Sequence, residues 1–341
     1  MKPRHFLLTL LALLTSITAS AHEWTDANGT VWNFGTSGSC AFISNRGYNN
    51  GYIPSISGAI PTDLTIPATV YIGETPYAVT SIGDNAFQGC SSLTSINIPD
   101  GVTSIGGDAF NGCSSLTSIT VPSSVETIGG TAFGSHYMVV TFNSATPCNQ
   151  SGLGESVRLV VPHAGVDAYR EAWSAIANVI VDADHIEKTV DVTANESASA
   201  VAEAIGEDLL KNVLRLKVKG TFNSYDVMVF RNKMINLTDL DLSDANVVAS
   251  SYAYYQTYKT KDNIITGYFA PTKIISFRFP KDITALESSA FYGCRQLRTV
   301  TLPEGITTIP YNAFYQCNNL TSINIPESVT SIERYAFSYC T

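Results

Sequence analysis

Charge is scarce in this chain. Only 14% of its 341 residues are Asp, Glu, Lys or Arg, and the balance is acidic, at a net charge of −9. A nucleic-acid binder needs a basic stripe to meet phosphates, so that class is excluded. Long apolar runs are missing beyond the first residues, so no later stretch can span a bilayer as a helix. Motifs that carry catalytic chemistry are missing too: there is no H-E-x-x-H, no G-x-S-x-G and no P-loop. No C-x-x-C occurs, so the cysteines have no zinc-ligand spacing. Strongly helical windows are few, whereas Ser, Thr, Asn and Gly abound, which leans the fold toward β structure. The length suits two domains.

What is present begins with a targeting segment. Lys2 and Arg4 precede the apolar run FLLTLLALLTSIT, and Ala19 to Ala21 offer a small-residue cleavage site. No cysteine stands at the cleavage point to take an acyl anchor. Residues 1–21 therefore read as a signal peptide, and the mature chain as secreted or displayed at a cell surface.

The dominant signal is repetition. VTSIGDNAFQGCSSLTSINIPDG opens at Val79, and VTSIGGDAFNGCSSLTSITVPSS follows directly from Val102. A decayed copy starts at Val125. The pattern returns from Ile283 and Ile306, and breaks off after Val329. A fixed period of this size means stacked supersecondary units. In each copy L-x-x-I-x-I alternates as a half-buried strand does, and proline then ends the ladder. Leu93, Ile96 and Ile98 should point inward, with Ile82, Phe87 and Cys90 filling the same core from the return side. Stacking would align Phe87 with Phe110, and Phe291 with Phe314 and Phe337. Weaker strands fit the template at Leu64 and Ile66, at Val213, Leu216 and Val218, at Leu237, Leu240 and Leu242, and at Ile274, Phe277 and Phe279.

SIGDNAFQGCSSLTSINIP resembles the BspA-like leucine-rich repeat of bacterial cell-surface and secreted proteins, and VPHAGVDAYREAW (Val161–Trp173) resembles the segment that closes such arrays. The resemblance implies an α/β repeat (solenoid) fold, β-rich with short helical turns and a few capping helices. It implies surface interaction and adhesion, and it brings no catalytic residues. The expected organisation is a β-rich N-terminal lead-in over 22–78 and a first repeat block over 79–181 with a C-terminal capping helix. A polar linker over 182–196 and a second block over 197–341 follow. That capping helix should bury Tyr169, Trp173 and Ile176. TANE (Thr193 to Glu196) reads as a capping box for a helix burying Val201, Ile205 and Leu209, and a second helix should bury Val227, Phe230 and Met234. The last copy stops mid-repeat, which suggests a fragment of a longer protein.

Functional candidates are sparse. Cys90 and Cys113 share one repeat position, as do Cys294, Cys317 and Cys340. Equivalent side chains point in parallel, so the column reads as buried thiols rather than disulfides. His136, His163 and His185 are isolated in sequence and read as surface or loop residues. Asp239 and Asp241 read as a solvated strand face. No catalytic residue, metal or cofactor is expected, and the chain reads as a non-enzyme.

What remains is surface. Outward strand positions place Ser95, Asn97, Ser118 and Thr120 in the first block and Thr299, Thr301, Ser322 and Asn324 in the second. These form a polar, uncharged candidate binding face. Arg215, Lys217 and Arg278 beside Asp239 and Asp241 grade that face electrostatically. The inserted segment around Tyr252, Tyr254, Tyr255, Tyr258 and Tyr268 is a candidate aromatic binding loop, because tyrosine combines contact area with a polar tip. The expected partner is a host or matrix protein. A glycan, or a scaffolding role without a specific ligand, is the alternative.

Overall fold

The computed structural model describes residues 22–28, 30–37, 39–43, 56–57, 61–153, 156–270 and 273–340. Residues 1–21, read from the sequence as a signal peptide, lie outside them. The chain divides into two compact units. The first holds residues up to Leu116 together with Ser124–His136 and Cys148–Leu153; the second holds Thr117–Ser123, Tyr137–Pro147 and everything from Gly154 on.

The first unit is headed by antiparallel strands His22–Thr25, Val31–Ser37 and Cys40–Ile43. The last of these pairs in parallel with Thr75–Ile82. From there the sheet grows by one short strand per repeat, through Ser104–Ile105 and Thr127–Ile128 to Asn149–Gln150. A second ladder joins Asp63–Thr65 to Ser95–Asn97, so Leu64 and Ile66 do form an early rung, both buried.

The repeat sentence explains the stack. The Phe87 and Phe110 rings lie 5.4 Å apart at 4°, and Phe110 and Phe133 lie 6.0 Å apart at 5°. All three are fully buried, each removing apolar surface worth roughly 2–3 kcal/mol. Backbone bonds run in step: the Phe87 amide donates to the Ala109 carbonyl at 2.8 Å, and Phe110 to Ala132 at 2.7 Å. The thiol of Cys113 donates back to the Phe87 carbonyl at 3.1 Å. Each repeat also turns through left-handed backbone before its Ala-Phe pair, at Asn85 and Asp108 (φ 56° and 53°), residue types that tolerate it.

The second unit opens with a four-stranded parallel sheet: β1 (Ser118–Val121), β2 (Met138–Phe142), β3 (Val157–Val161) and β4 (Ile180–Asp182). Between β3 and β4 runs helix α1 (Val166–Ala172). Tyr169, Trp173 and Ile176 are all buried, but the helix is shorter than the spacing predicts: it ends before Trp173, and Ile176 falls in a following 3-10 stretch. The Phe142 ring meets Trp173 edge-on at 5.4 Å, and the Tyr169 hydroxyl donates to the Ser144 carbonyl at 3.1 Å.

A six-stranded parallel sheet follows: β5 (Glu187–Val192), β6 (Arg215–Phe222), β7 (Asp239–Val247), β8 (Ser276–Arg278), β9 (Thr299–Thr301) and β10 (Ser322–Asn324). β5 lies inside the stretch read as a linker. It hides from a composition reading because only Val190 and Val192 turn inward, while Glu187 and Asp191 are exposed. Helix α2 (Ala200–Ile205) is capped by Ser199, which accepts from the Ala202 amide, and not by Thr193. It ends at Gly206 (φ 92°), so Leu209 falls in a following 3-10 turn. The capping box belongs instead to α3 (Ser224–Asn232), between Asn223 and Asp226. Asp226 is fully buried and satisfied: one carboxylate oxygen accepts from the Ser199 hydroxyl at 2.7 Å and the Val201 amide at 2.9 Å, and the other from the Asn223 amide. It ties the two helices together. Phe291, Phe314 and Phe337 repeat the ring column at 5.1 and 5.4 Å. A rung is buried by its neighbours: Ile309 is 0% exposed, whereas the equivalent Ile332, in the last described copy, is 54% exposed.

Candidate binding face of the second unit

Register assembles the site. Strand alternation turns Leu216, Leu240, Phe277 and Val300 into the core. Their neighbours form two outward columns. One runs Glu187, Arg215, Asp239, Ser276, Thr299, Ser322; the other runs Thr189, Lys217, Asp241, Arg278, Thr301, Asn324. Adjacent members sit one strand spacing apart, about 4.8 Å.

Charges alternate in sign over the first four strands and vanish over the last two. Arg215 pairs with Glu187. Lys217 Nζ lies 2.7 Å from Asp244 and 3.9 Å from Asp241, and Arg278 reaches Asp241 at 3.6 Å. These groups are solvated, so the pairs add little to stability. Their effect is on the surface potential more than on stability. Lys217 holds the Asp244 carboxyl below its ordinary range. Asp239 is pushed the other way, because burial disfavours its charged form more than the Thr238 hydroxyl bond at 2.7 Å and nearby Arg215 favour it. A shallow depression of about 270 Å³ lies over these residues, lined by Glu187, Arg215, Lys217, Asp239, Asp241 and Arg278. It presents carboxylates and cations at alternating positions, which can pair with the charges and backbone groups of a protein segment laid across the strands.

Thr299, Thr301, Ser322 and Asn324 continue this face and are exposed. The first-block candidates are exposed too, but they lie in different sheets: Ser95 and Asn97 pair with Asp63 and Thr65, whereas Ser118 and Thr120 pair with Val139 and Thr141. The Ser95 hydroxyl is engaged, donating to Asp63 at 2.6 Å.

The tyrosine loop splits. Tyr254 is 4% exposed and its hydroxyl bonds Thr266 at 2.5 Å and the Gly267 carbonyl at 2.7 Å, so it belongs to the core. Tyr252 stacks on Tyr225 at 4.2 Å, and Arg231 lies over the Tyr255 ring at 4.8 Å. Tyr258 and Tyr255 both pack on Tyr268, at 5.4 and 5.1 Å. From Tyr268 a series of rings continues through Tyr292, Tyr315 and Tyr339 at 5.5, 5.1 and 5.2 Å. Tyr311 and Tyr335 run beside it, and the group lines a depression of about 590 Å³. Sequence reasoning named Tyr268 but missed Tyr292, Tyr315 and Tyr339. Their signal is the tyrosine between the core Phe and Cys in FYGC, FYQC and FSYC, where the first block has Gln88 and Asn111.

Two of the histidines come together in turns outside the strands. His163 and His185, isolated in sequence, meet on Asp182 at the C-terminal ends of β3 and β4. Among the described residues this trio is the group of three or more such side chains whose donor atoms lie close enough together, within 4.8 Å, that they could hold a metal ion. Among the same residues no helix is long and apolar enough to cross a membrane.

Residues 72–152 and 262–341 match the BspA type leucine rich repeat region, in six copies. No curated protein matches the chain significantly. Among solved structures it is similar to a leucine-rich repeat protein from Bacteroides ovatus, at 18% identity over 94% of this chain and 91% of that one, with a TM-score of 0.27. A leucine rich cell surface protein from Faecalibacterium prausnitzii matches at 21% identity, over 94% and 93%, with a TM-score of 0.27. A leucine rich repeat protein of T. pallidum matches at 16%, over 93% and 89%, again at 0.27.

Proposed function

Since this chain carries six BspA-type leucine-rich repeats, we propose that it is an exported surface protein that recognises another protein through the graded face of its six-stranded sheet. The observation that carries this reading is the pair of unbroken outward columns from β5 to β10, alternating in charge at one end and neutral at the other. Alternating charge selects a partner by register, because a shifted segment meets like charges. The hydroxyl and amide end adds hydrogen-bonding groups without a net field.

A glycan ligand is the second reading, favoured by one observation: the tyrosine series from Tyr268 to Tyr339 repeats at about the rung spacing. Those rings are not over the sheet, so the two readings occupy different surfaces and can be separated. The test is interferometry of the whole mature chain against matrix proteins and a polysaccharide panel. Combined Lys217→Ala and Arg278→Ala should abolish protein capture and leave melting unchanged. Tyr292→Ala with Tyr315→Ala should leave that capture intact. Loss only with the tyrosine pair, on polysaccharide, would replace the first reading with the second. Binding of neither class would overturn both.

A further inference from the structure

Two histidines 22 residues apart share one carboxylate oxygen. The Nδ1 of His163 lies 2.7 Å from Asp182 Oδ2, and the Nδ1 of His185 lies 3.1 Å from the same atom. All three donor atoms fall within 4.8 Å of one another. The arrangement follows from the fold. β3 and β4 are parallel neighbours, with Val161 opposite Asp182, so the residues just past their ends are brought together. His163 begins the excursion that contains α1, Asp182 ends it, and His185 follows one 3-10 turn later.

Asp182 is well placed for more than a hydrogen bond. Its side chain is 7% exposed, and Oδ1 is held by the Asp184 amide at 3.0 Å, which fixes the carboxylate and leaves Oδ2 facing both rings. His163 is 66% exposed and His185 24%, so the cluster opens to solvent on the histidine side. Asp167 and Asp184 add negative potential there, acting on His163 through space.

We propose that His163, Asp182 and His185 form a binding site for a divalent transition-metal ion, zinc foremost. Two imidazole nitrogens and one carboxylate oxygen are donors that borderline metals favour. Donors on a tetrahedral zinc lie about 2.0–2.2 Å from the metal, and hence roughly 3.4 Å from one another. The observed separations of 2.7 and 3.1 Å to Oδ2 are both shorter than that, the His163 one more so, and exposed His163 is the ligand free to swing outward and open the set. Three protein ligands leave a fourth position for water or for a donor from a partner. The bound ion would close the α1 excursion between the ends of β3 and β4, replacing a hydrogen-bonded clasp with a coordinated one.

Calorimetric titration of ZnCl₂ into the untagged, chelator-treated mature chain tests this. One equivalent should bind, and His163→Ala and His185→Ala should each weaken binding by more than about tenfold. Because His163 is exposed, its variant should keep the parent circular dichroism and melting temperature in the absence of metal. Co²⁺ in place of zinc should give the visible absorption of a tetrahedral N/O site, lost in the same variants. Absence of stoichiometric binding, or binding equal in folded His163→Ala, would overturn the proposal. Should His185→Ala fail to fold, His163→Ala alone decides.

Discussion

Gly129 shows how little tolerance the stack has at single positions. A Cβ there would lie 2.3 Å from the Gly107 amide nitrogen and 2.7 Å from the Gly106 carbonyl carbon. These are backbone atoms of the preceding rung and cannot rotate away. Gly129→Ala should therefore destabilise the protein by about 2–3 kcal/mol, read as a lower urea midpoint with an unchanged slope. Gly89 contrasts with it. A Cβ on Gly89 meets nothing within 4 Å, and what the residue supplies is the left-handed φ of 76°. The same turn position tolerates Gln316 at φ 60° and Tyr339 at 62°, so there the cost is local strain and not collision.

At the scale of elements, Asp239 on β7 couples the face to pH. Burial raises its carboxyl above the ordinary 3.8, with Glu187 adding to the rise and Arg215 and Arg278 opposing it. A carboxyl raised in the folded state is ionised there at a cost. That cost is fully present above the folded value and gone below the unfolded one. Relative to Asp239→Asn, the parent should therefore be less stable at pH 7, and the gap should close as pH falls through the window just above 3.8. Thermal melts of the two proteins across that range check this; a constant gap would refute it. The same strands show what sequence makes legible. Regular copies were readable down to single inward residues such as Phe110 and Leu93, because stacking repeats one burial pattern every rung. β5 was not, because two valines in a polar stretch carry no periodic signal. Tyr254 was misjudged because a tyrosine in a polar insertion looks the same whether its ring faces water or Phe269. The charged columns were visible as residue types, yet their order across six strands needed the register. The His163–Asp182–His185 cluster had no motif to reveal it, since it is made by the ends of two strands.

For the whole molecule, the thiols set a chemical expectation. Cys90, Cys113, Cys294 and Cys317 are buried, and they are free thiols, as are Cys148 and Cys340. Burial pushes Cys294 up to about 12 and Cys148 up to about 11, so thiolate is scarce at neutral pH. Iodoacetamide should leave the four buried residues unmodified in the native protein and label them once urea is added, as peptide mass spectrometry would show. Native labelling there, or a disulfide among them, would contradict the packed thiol column. The rung-to-rung bonds carry a last consequence, for how such a chain can change length. Contacts such as the Thr103 hydroxyl to the Thr80 carbonyl and the Thr330 hydroxyl to the Thr307 carbonyl span 23 residues. Duplicating or deleting a whole rung restores every such partner with an equivalent one. Gaining or losing a single residue inside a rung misaligns the phenylalanines and both strand ladders at once, so inheritance should favour copies counted in whole rungs.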